Sequence, residues 1–172
     1  MLLHDSRRNA RVDASGQLVL LDDQDRSLWD RDEIEEGLVL AAHSMASGGG
    51  LYALQATIAG EHARAPNPGD TDWLRIHRLY DQLLQLTPSP VVELNRAVAQ
   101  AMSEGVAAGL ASVERISGLD EYLPSHVTRA DLLQRLGRDR EADAAYRRAI
   151  ALSPNSVQRS FLEDRLRQLG PP

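Results

Sequence analysis

Apolar side chains recur along most of this chain at the three- and four-residue spacing of amphipathic helices, and glycine or proline interrupts each run. The pattern predicts eight helical segments between Asp30 and Gly170, joined by short loops. The predicted N-caps are Asp30, Thr71, Ser89 and Ser156. Because short loops favour antiparallel neighbours, we expect an all-α antiparallel array of helix pairs.

The first 30 residues follow a different pattern. Residues 1–8 resemble the tail of a helix whose beginning is missing. Apolar and polar residues then alternate at Ala10, Val12, Leu18 and Leu20. Since Gly16 can adopt the positive φ of a tight turn, we predict one small β-hairpin that lies on the helices. The connector that follows, residues 22–30, carries Trp29, which we expect to be a buried anchor.

A short phrase of the sequence occurs twice. Tyr80 and Pro88 have the same separation as Tyr146 and Pro154, and the two tyrosines are 146 − 80 = 66 positions apart. Half of this distance is close to the period of about 34 residues in tetratricopeptide (TPR) helix pairs. The second copy carries the fuller motif, so we predict a TPR-like fold. The predicted repeat positions are Trp73, Tyr80, Pro88, Ala130, Gly137, Ala142, Tyr146, Ala149 and Pro154.

Length and charge narrow the class of protein. We predict a single domain over residues 1–172, made of a helix tail, hairpin and connector (1–30), degenerate helix pairs (31–122) and a TPR-like unit with a capping helix (123–172). Residues 1–122 carry 10 arginines against 19 acidic residues, which argues against direct nucleic-acid binding. No apolar run approaches the length of about 18 residues that a membrane span needs, so we expect a cytoplasmic location without membrane contact.

Longer strings of this sequence resemble one protein family. They are LLHDSRR (2–8), RVDASGQLVLLDDQDRSLWDRDEIEEGL (11–38), YALQATIAGEHARAP (52–66), DTDWLRIHRLYDQLLQLTPSPVVELNRAVA (70–99) and RADLLQRLGRDREADAAYRRAI (129–150). Together they resemble the C-terminal, TPR-like extension of one group of extracytoplasmic-function (ECF) RNA polymerase sigma factors, often called ECF42. The resemblance runs from Leu2 to about Leu169.

This resemblance implies a regulatory role in transcription initiation. The implied partners are the N-terminal domains of the sigma factor, together with core RNA polymerase or a regulatory protein or peptide. The regions that bind core polymerase and the promoter elements are absent from the chain. We therefore do not expect it to recognise a promoter by itself.

Two groups of polar residues are candidates for an interaction surface. The first brackets the hairpin and is His4, Asp5, Arg7, Arg8, Asp22, Asp25 and Arg26. It is interpreted either as a docking surface or as a charge network that holds the hairpin to the first helices. The second group, Gln55, Asn95 and Arg96, lies on helices that could line a concave groove, with a solvated helix face as the alternative.

No catalytic or metal-binding motif accompanies these residues. The histidines lack the i,i+4 ligand pairing of a metal site, cysteine is absent, and no phosphate-binding or nucleophile motif occurs. We expect no cofactor and no enzymatic activity. The competing hypothesis is a stand-alone TPR-like adaptor that binds peptides and has no link to transcription.

Overall fold

A computed structural model describes residues 1–14, 16 and 18–169 of the chain. These residues form nine α-helices, which confirms the all-α prediction. The helices are Leu2–Asp5 (α1), Arg31–Ala46 (α2), Leu51–Arg64 (α3), Trp73–Leu86 (α4), Pro90–Ser103 (α5), Val106–Val113 (α6), Leu123–Arg135 (α7), Asp139–Ala151 (α8) and Ser156–Gln168 (α9). Short 3-10 turns occupy Arg8–Ala10, Leu21–Asp23, Arg26–Leu28 and Pro68–Asp70.

The predicted β-hairpin is wrong. Within the described residues, this segment holds an isolated antiparallel bridge between Val12 and Leu18 and no strand. Val12 and Leu18 are 50% and 61% exposed, so no other part of the protein covers these two apolar side chains and no face of a hairpin is buried there. Gly16 has the positive φ of +79° that the turn requires, whereas Ser15 of the predicted turn and Gln17 of the predicted second strand lie outside the described residues.

The chain divides into two compact units. Residues Met1–Thr87 form the N-terminal unit, with α1 to α4, and the helices from Pro88 onwards form the C-terminal unit. The prediction of a single domain over 1–172 stays a prediction. No helix in the described part of the chain combines the length and the apolar character of a membrane span.

Trp29 lies in the core of the N-terminal unit. This side chain is 3% exposed and packs in a core with Leu3, Ile34 and Ala63, so its predicted role as an anchor is confirmed. The adjacent Asp30 caps α2, as predicted, by accepting a hydrogen bond from the backbone N–H of Glu33 at 3.1 Å.

The start of α2 also ties down the N-terminal segment. The backbone N–H of Asp30 donates to the carbonyl of Ser6 at 2.8 Å. Meanwhile, the carboxylate of Glu33 pairs with Arg8. Asp30 and Glu33 have the spacing of a reciprocal capping box, in which the Glu33 side chain would accept from the N–H of Asp30. Here that N–H donates to Ser6 instead, and Glu33 pairs with Arg8.

Two predicted N-caps are wrong by one residue. Asp72 rather than Thr71 caps α4, and Asn155 rather than Ser156 caps α9. In both cases a cap-forming residue stands beside another one, and the side-chain oxygen that reaches the N–H three residues further on makes the cap. Ser89 precedes α5 as expected, but its side chain makes no capping hydrogen bond.

The C-terminal unit packs its helices on small residues. Ala130, Ala142 and Ala149 are fully buried where α7 and α8 meet, and Gly109 of α6 faces α5. Tyr146 is buried beside them, and its hydroxyl lies 3.2 Å from Oε1 of Gln134. Such small side chains let two helix backbones approach closely.

The remaining repeat positions occupy ends and faces of helices. Gly137 ends α7 with a φ of +70°, as expected for a left-handed C-terminal residue. Pro154 follows α8 and is exposed, and Pro88 is exposed just before α5. Trp73 and Tyr80 are half-buried on α4.

Candidate functional site

The charged residues at the N-terminus are largely engaged within their own unit. Arg8 pairs with Asp5 at 3.3 Å and also contacts Glu33. Arg7 donates a hydrogen bond to Nδ1 of His4 at 3.1 Å. These contacts link α1 and the segment after it to the beginning of α2.

Arg26 is buried rather than presented on a surface. It is 7% exposed, and its Nη1 donates to the carbonyls of His62 at 2.8 Å and Ala65 at 2.5 Å. Both carbonyls lie at the C-terminal end of α3, where a cation is favoured by the helix dipole. The guanidinium stacks on the ring of Trp29 at 4.6 Å. Arg26 therefore fixes the connector on α3.

The neighbouring acids lie on the outside of this connector. Asp25 accepts a hydrogen bond from the N–H of Ser27 at 2.9 Å, which caps a 3-10 turn. Hydrogen bonding from the side chain of Ser27, and then from its backbone, lowers the pKa of Asp25. Asp22 is exposed. Of the first candidate group, Arg26 is thus closed to a partner; that the exposed members form a docking surface stays a prediction.

Positive charge is concentrated around Trp29. Arg7 lies 5.8 Å from the ring centroid on which Arg26 also stacks. Burial, followed by the charges of Arg7, Arg26 and His4, lowers the pKa of His62 to about 4. The ring of His62 in turn meets Trp73 edge-on at 5.1 Å. Burial, together with the neighbouring positive charges, therefore keeps His62 neutral near pH 7.

The second candidate group is divided between the units. Gln55 is exposed on α3 of the N-terminal unit, whereas Asn95 is exposed and Arg96 half-buried on α5 of the C-terminal unit. That these three residues line one groove stays a prediction.

A groove not anticipated from the sequence lies between α2 and α4, both of which pack with α3. We call it the arginine groove. Its volume is about 500 Å³, within the range of ligand-binding clefts. Its lining residues are Leu38, Ala41, Ala42, Met45, Thr57, Arg64, Arg75, Arg78, Leu79 and Gln82.

A buried glutamate orients two of the three arginines of the arginine groove. Glu61 of α3 is 2% exposed. Its Oε1 lies 3.0 Å from Nε of Arg75 and 3.6 Å from Nη2 of Arg64, in ion pairs rather than directed hydrogen bonds. Arg78, one turn after Arg75 on α4, forms no ion pair within the described residues. Within the described part of the chain, the groove therefore presents one arginine without an ion pair beside two that share a single carboxylate.

The sequence did contain a signal for this groove. Glu61 follows a run of apolar and small residues in α3, where a lone acid requires a cationic partner. Arg75 and Arg78 share one face of α4 at i,i+3 spacing. What the sequence could not supply was the packing of α4 on α3, which brings these residues together.

Two smaller pockets accompany the arginine groove. One of about 260 Å³ lies where α1 meets α2 and α3, and it is mostly apolar, with Met1, Leu40 and Tyr52 on its lining. The other, of about 320 Å³, lies among α5, α6 and α7 of the C-terminal unit, and its lining includes His126 and Arg129. Arg129 pairs there with Glu114 at 3.4 Å.

No cluster of three or more histidine, cysteine or acidic side chains suited to a metal ion occurs in the part of the chain that the structure describes.

Comparison with known proteins gives two similarities. Residues 1–45, about a quarter of the chain, match the model of a family of unknown function (DUF6596). An uncharacterized protein, R00370, of Rhizobium meliloti (strain 1021) is 47% identical over 175 residues, which cover 99% of this chain and 41% of that protein. The chain thus spans about two fifths of the length of this relative. No solved structure matches the chain.

Proposed function

We propose that this chain is the C-terminal regulatory domain of an ECF-type RNA polymerase sigma factor and that it acts by protein–protein contact. The observation that carries the proposal is the run of family strings in the same order along nearly the whole chain, from Leu2 to about Leu169. The proposed partners are the sigma-factor domains that bind promoter and core polymerase, with core polymerase itself or a regulatory protein as further partners. Promoter recognition would belong to those other domains.

The geometry supports a scaffold for binding. Consecutive helices pack as pairs on small residues, and the positions from Ala130 to Pro154 suit a TPR-like unit, whose usual product is a binding surface. Two of the family strings also coincide with residues that hold the fold together. LLHDSRR (2–8) includes α1, and DQDRSLWD (23–30) contains the buried pair Arg26 and Trp29.

The relative from Rhizobium meliloti adds a further argument. It is more than twice as long as this chain, so a sequence of this kind occurs there together with other segments. A regulatory domain joined to promoter-binding domains would have such an arrangement. The activity of the whole protein remains part of the proposal.

A transcription assay tests the proposal. The gene region upstream of the codon for Met1 should encode sigma-factor regions in the same reading frame. Transcription from the cognate promoter by the full-length factor should then differ from that by a factor lacking residues 1–172 of this chain. Equal transcript yields, with both proteins folded and bound to core polymerase, would contradict a regulatory role.

A stand-alone peptide-binding adaptor is the second candidate, favoured by the TPR-like positions from Ala130 to Pro154. A pull-down with core polymerase and the sigma-factor domains separates the two hypotheses. The regulatory domain should retain the sigma-factor domains or the polymerase, whereas an unrelated adaptor should retain neither.

A further inference from the structure

The arginine groove combines an apolar floor with a cationic rim. Leu38, Met45 and Leu79 provide aliphatic surface, while Arg64, Arg75 and Arg78 provide the charge. No aspartate or glutamate is among the lining residues. A lining without acidic side chains is unusual here, because residues 1–87 of the N-terminal unit hold 8 arginines against 14 acidic residues, a net charge of 8 − 14 = −6.

The rim is preorganised by a group that is itself inaccessible. Glu61 is buried and holds Arg64 and Arg75 at 3.6 and 3.0 Å, so these side chains lose less conformational freedom when a ligand binds. One buried carboxylate cannot neutralise two guanidinium groups, and Arg78 adds a third cation without an ion pair in the described residues. The arginine groove therefore retains positive charge that can pair with the carboxylates of a bound ligand.

We propose that the arginine groove binds an acidic amphipathic helix of a partner protein, whose apolar side chains enter the groove and whose carboxylates pair with Arg78 and Arg75. In helix-in-groove recognition an amphipathic helix lays its apolar face into an apolar groove, and charged side chains at the rim of the groove can then pair with the polar face. The inference rests on the proposed function only in that the chain acts by protein contact, and it does not require the link to transcription.

Charge and shape favour an acidic protein segment over nucleic acid. A nucleic-acid surface gains its affinity from many phosphate contacts, and the net charge of the N-terminal unit is negative. The aliphatic floor offers no aromatic side chain on which a base could stack. The same floor suits the leucine-rich face of an amphipathic helix.

Selection from a library of random peptides of about 15 residues, displayed on phage, tests the inference with the full 172-residue chain as bait. Enriched peptides should combine acidic residues with leucine-like residues at helical spacing. The most enriched peptide, labelled with fluorescein, is then titrated by anisotropy against the wild-type chain, Arg78→Glu and Arg140→Glu. Arg140 is an exposed arginine of α8 and provides the matched control.

Arg78→Glu should weaken peptide binding by at least about tenfold, and Arg140→Glu should leave it within about twofold. The affinity should also fall as salt is raised. Circular dichroism and urea midpoints establish that both variants are folded. Enrichment of basic or uncharged peptides, no enrichment, or equal binding by both variants would overturn the inference. Tighter binding of a labelled single-stranded oligonucleotide that is also lost in Arg78→Glu would overturn it too.

The groove inference and the proposed function can fail independently of each other. If Arg78→Glu abolishes peptide binding while the sigma-factor domains and core polymerase are never retained, the groove inference stands and the link to transcription fails. If transcription depends on the domain while the Arg78→Glu variant behaves as wild type in both assays, the regulatory role stands and the groove inference fails.

Discussion

Gly109 of α6 lies directly against Ala97 and Ala101 of α5, and its replacement by alanine tests how closely this helix pair is packed. An added Cβ would overlap the Cβ of Ala101 and would lie 2.7 Å from the Ala101 Cα and 2.8 Å from the carbonyl oxygen of Ala97. Two of these three obstacles are backbone atoms of a helix, so no side-chain rotation relieves them. The helices must separate, or α6 must shift along α5.

Two effects of opposite sign decide the result. Alanine favours a helix over glycine by about 1 kcal/mol, so an exposed glycine in the same helix would be improved by the change. Against this, non-bonded carbon atoms pack at about 3.5–4.0 Å, so the Cβ must move by roughly 1 Å away from Ala101. Overpacking of this kind costs about 1–3 kcal/mol, and more when backbone must move. We expect Gly109→Ala to lower the free energy of unfolding by about 2 kcal/mol.

Urea unfolding followed by circular dichroism measures this change, and Gly60→Ala serves as a control. An added Cβ at Gly60 would meet Cδ2 of Leu38 at 2.8 Å, which is the far end of a flexible side chain. The helix-propensity gain should then offset the small rearrangement, and Gly60→Ala should stay within about 1 kcal/mol of wild type. If Gly109→Ala proves as stable as Gly60→Ala, α5 and α6 are not packed backbone to backbone at Gly109.

Three further predictions concern buried polar groups. Arg26→Ala should lower the free energy of unfolding by about 2 kcal/mol, since it removes two hydrogen bonds to the end of α3, while Arg8→Ala at an exposed ion pair should cost less than about 1 kcal/mol in the same urea experiment. Tyr146→Phe loses the hydroxyl contact with Gln134 and should cost about 0.5–1.5 kcal/mol by thermal or urea unfolding; a cost like that of deleting the ring would contradict the buried packing described. Since the pKa of His62 is lowered from 6.5 to about 4 in the folded protein, the unfolded chain protonates this histidine at a higher pH than the folded chain does. The free energy of unfolding should therefore fall as the pH drops from about 6.5 to 4, and His62→Phe should flatten this dependence. An NMR titration midpoint of His62 near 6.5 would refute the prediction.

Local signals were sufficient for the helices and for several of their ends. Asp30 caps α2 by accepting from the N–H of Glu33, only three residues further on. Gly137 ends α7 through its own φ of +70°, without a distant partner. Tyr146 and Ala149 follow helical spacing and are buried. Each of these features depends on residues within one or two turns of the chain, which is the range that sequence periodicity reports.

Features that depend on distant residues were missed. The alternation around Val12 predicted a strand, yet a hairpin forms only where another surface covers one face. Arg26 was assigned to a possible docking surface because its charge was visible in the sequence. Its partners, the carbonyls of His62 and Ala65, stand 36 and 39 residues further on, so its burial could not be read locally. The arginine groove likewise depends on the packing of α4 against α3.

The two units bury different kinds of residue, and this difference bears on where recognition takes place. The buried core of the C-terminal unit consists of alanines, leucines, Val113 and Tyr146, which stabilise a frame without placing a charge inside it. The N-terminal unit instead buries Arg26 and Glu61, although burial of ionised groups costs stability unless each is paired. Well-packed apolar residues could fill the same positions at lower cost. Because Glu61 orients arginines of an open groove and Arg26 fixes the connector beside α3, these costly residues serve the shape and charge of a surface. Substitutions in the core of the C-terminal unit should therefore affect binding only through stability, whereas Arg78→Glu should affect binding in a fully folded protein.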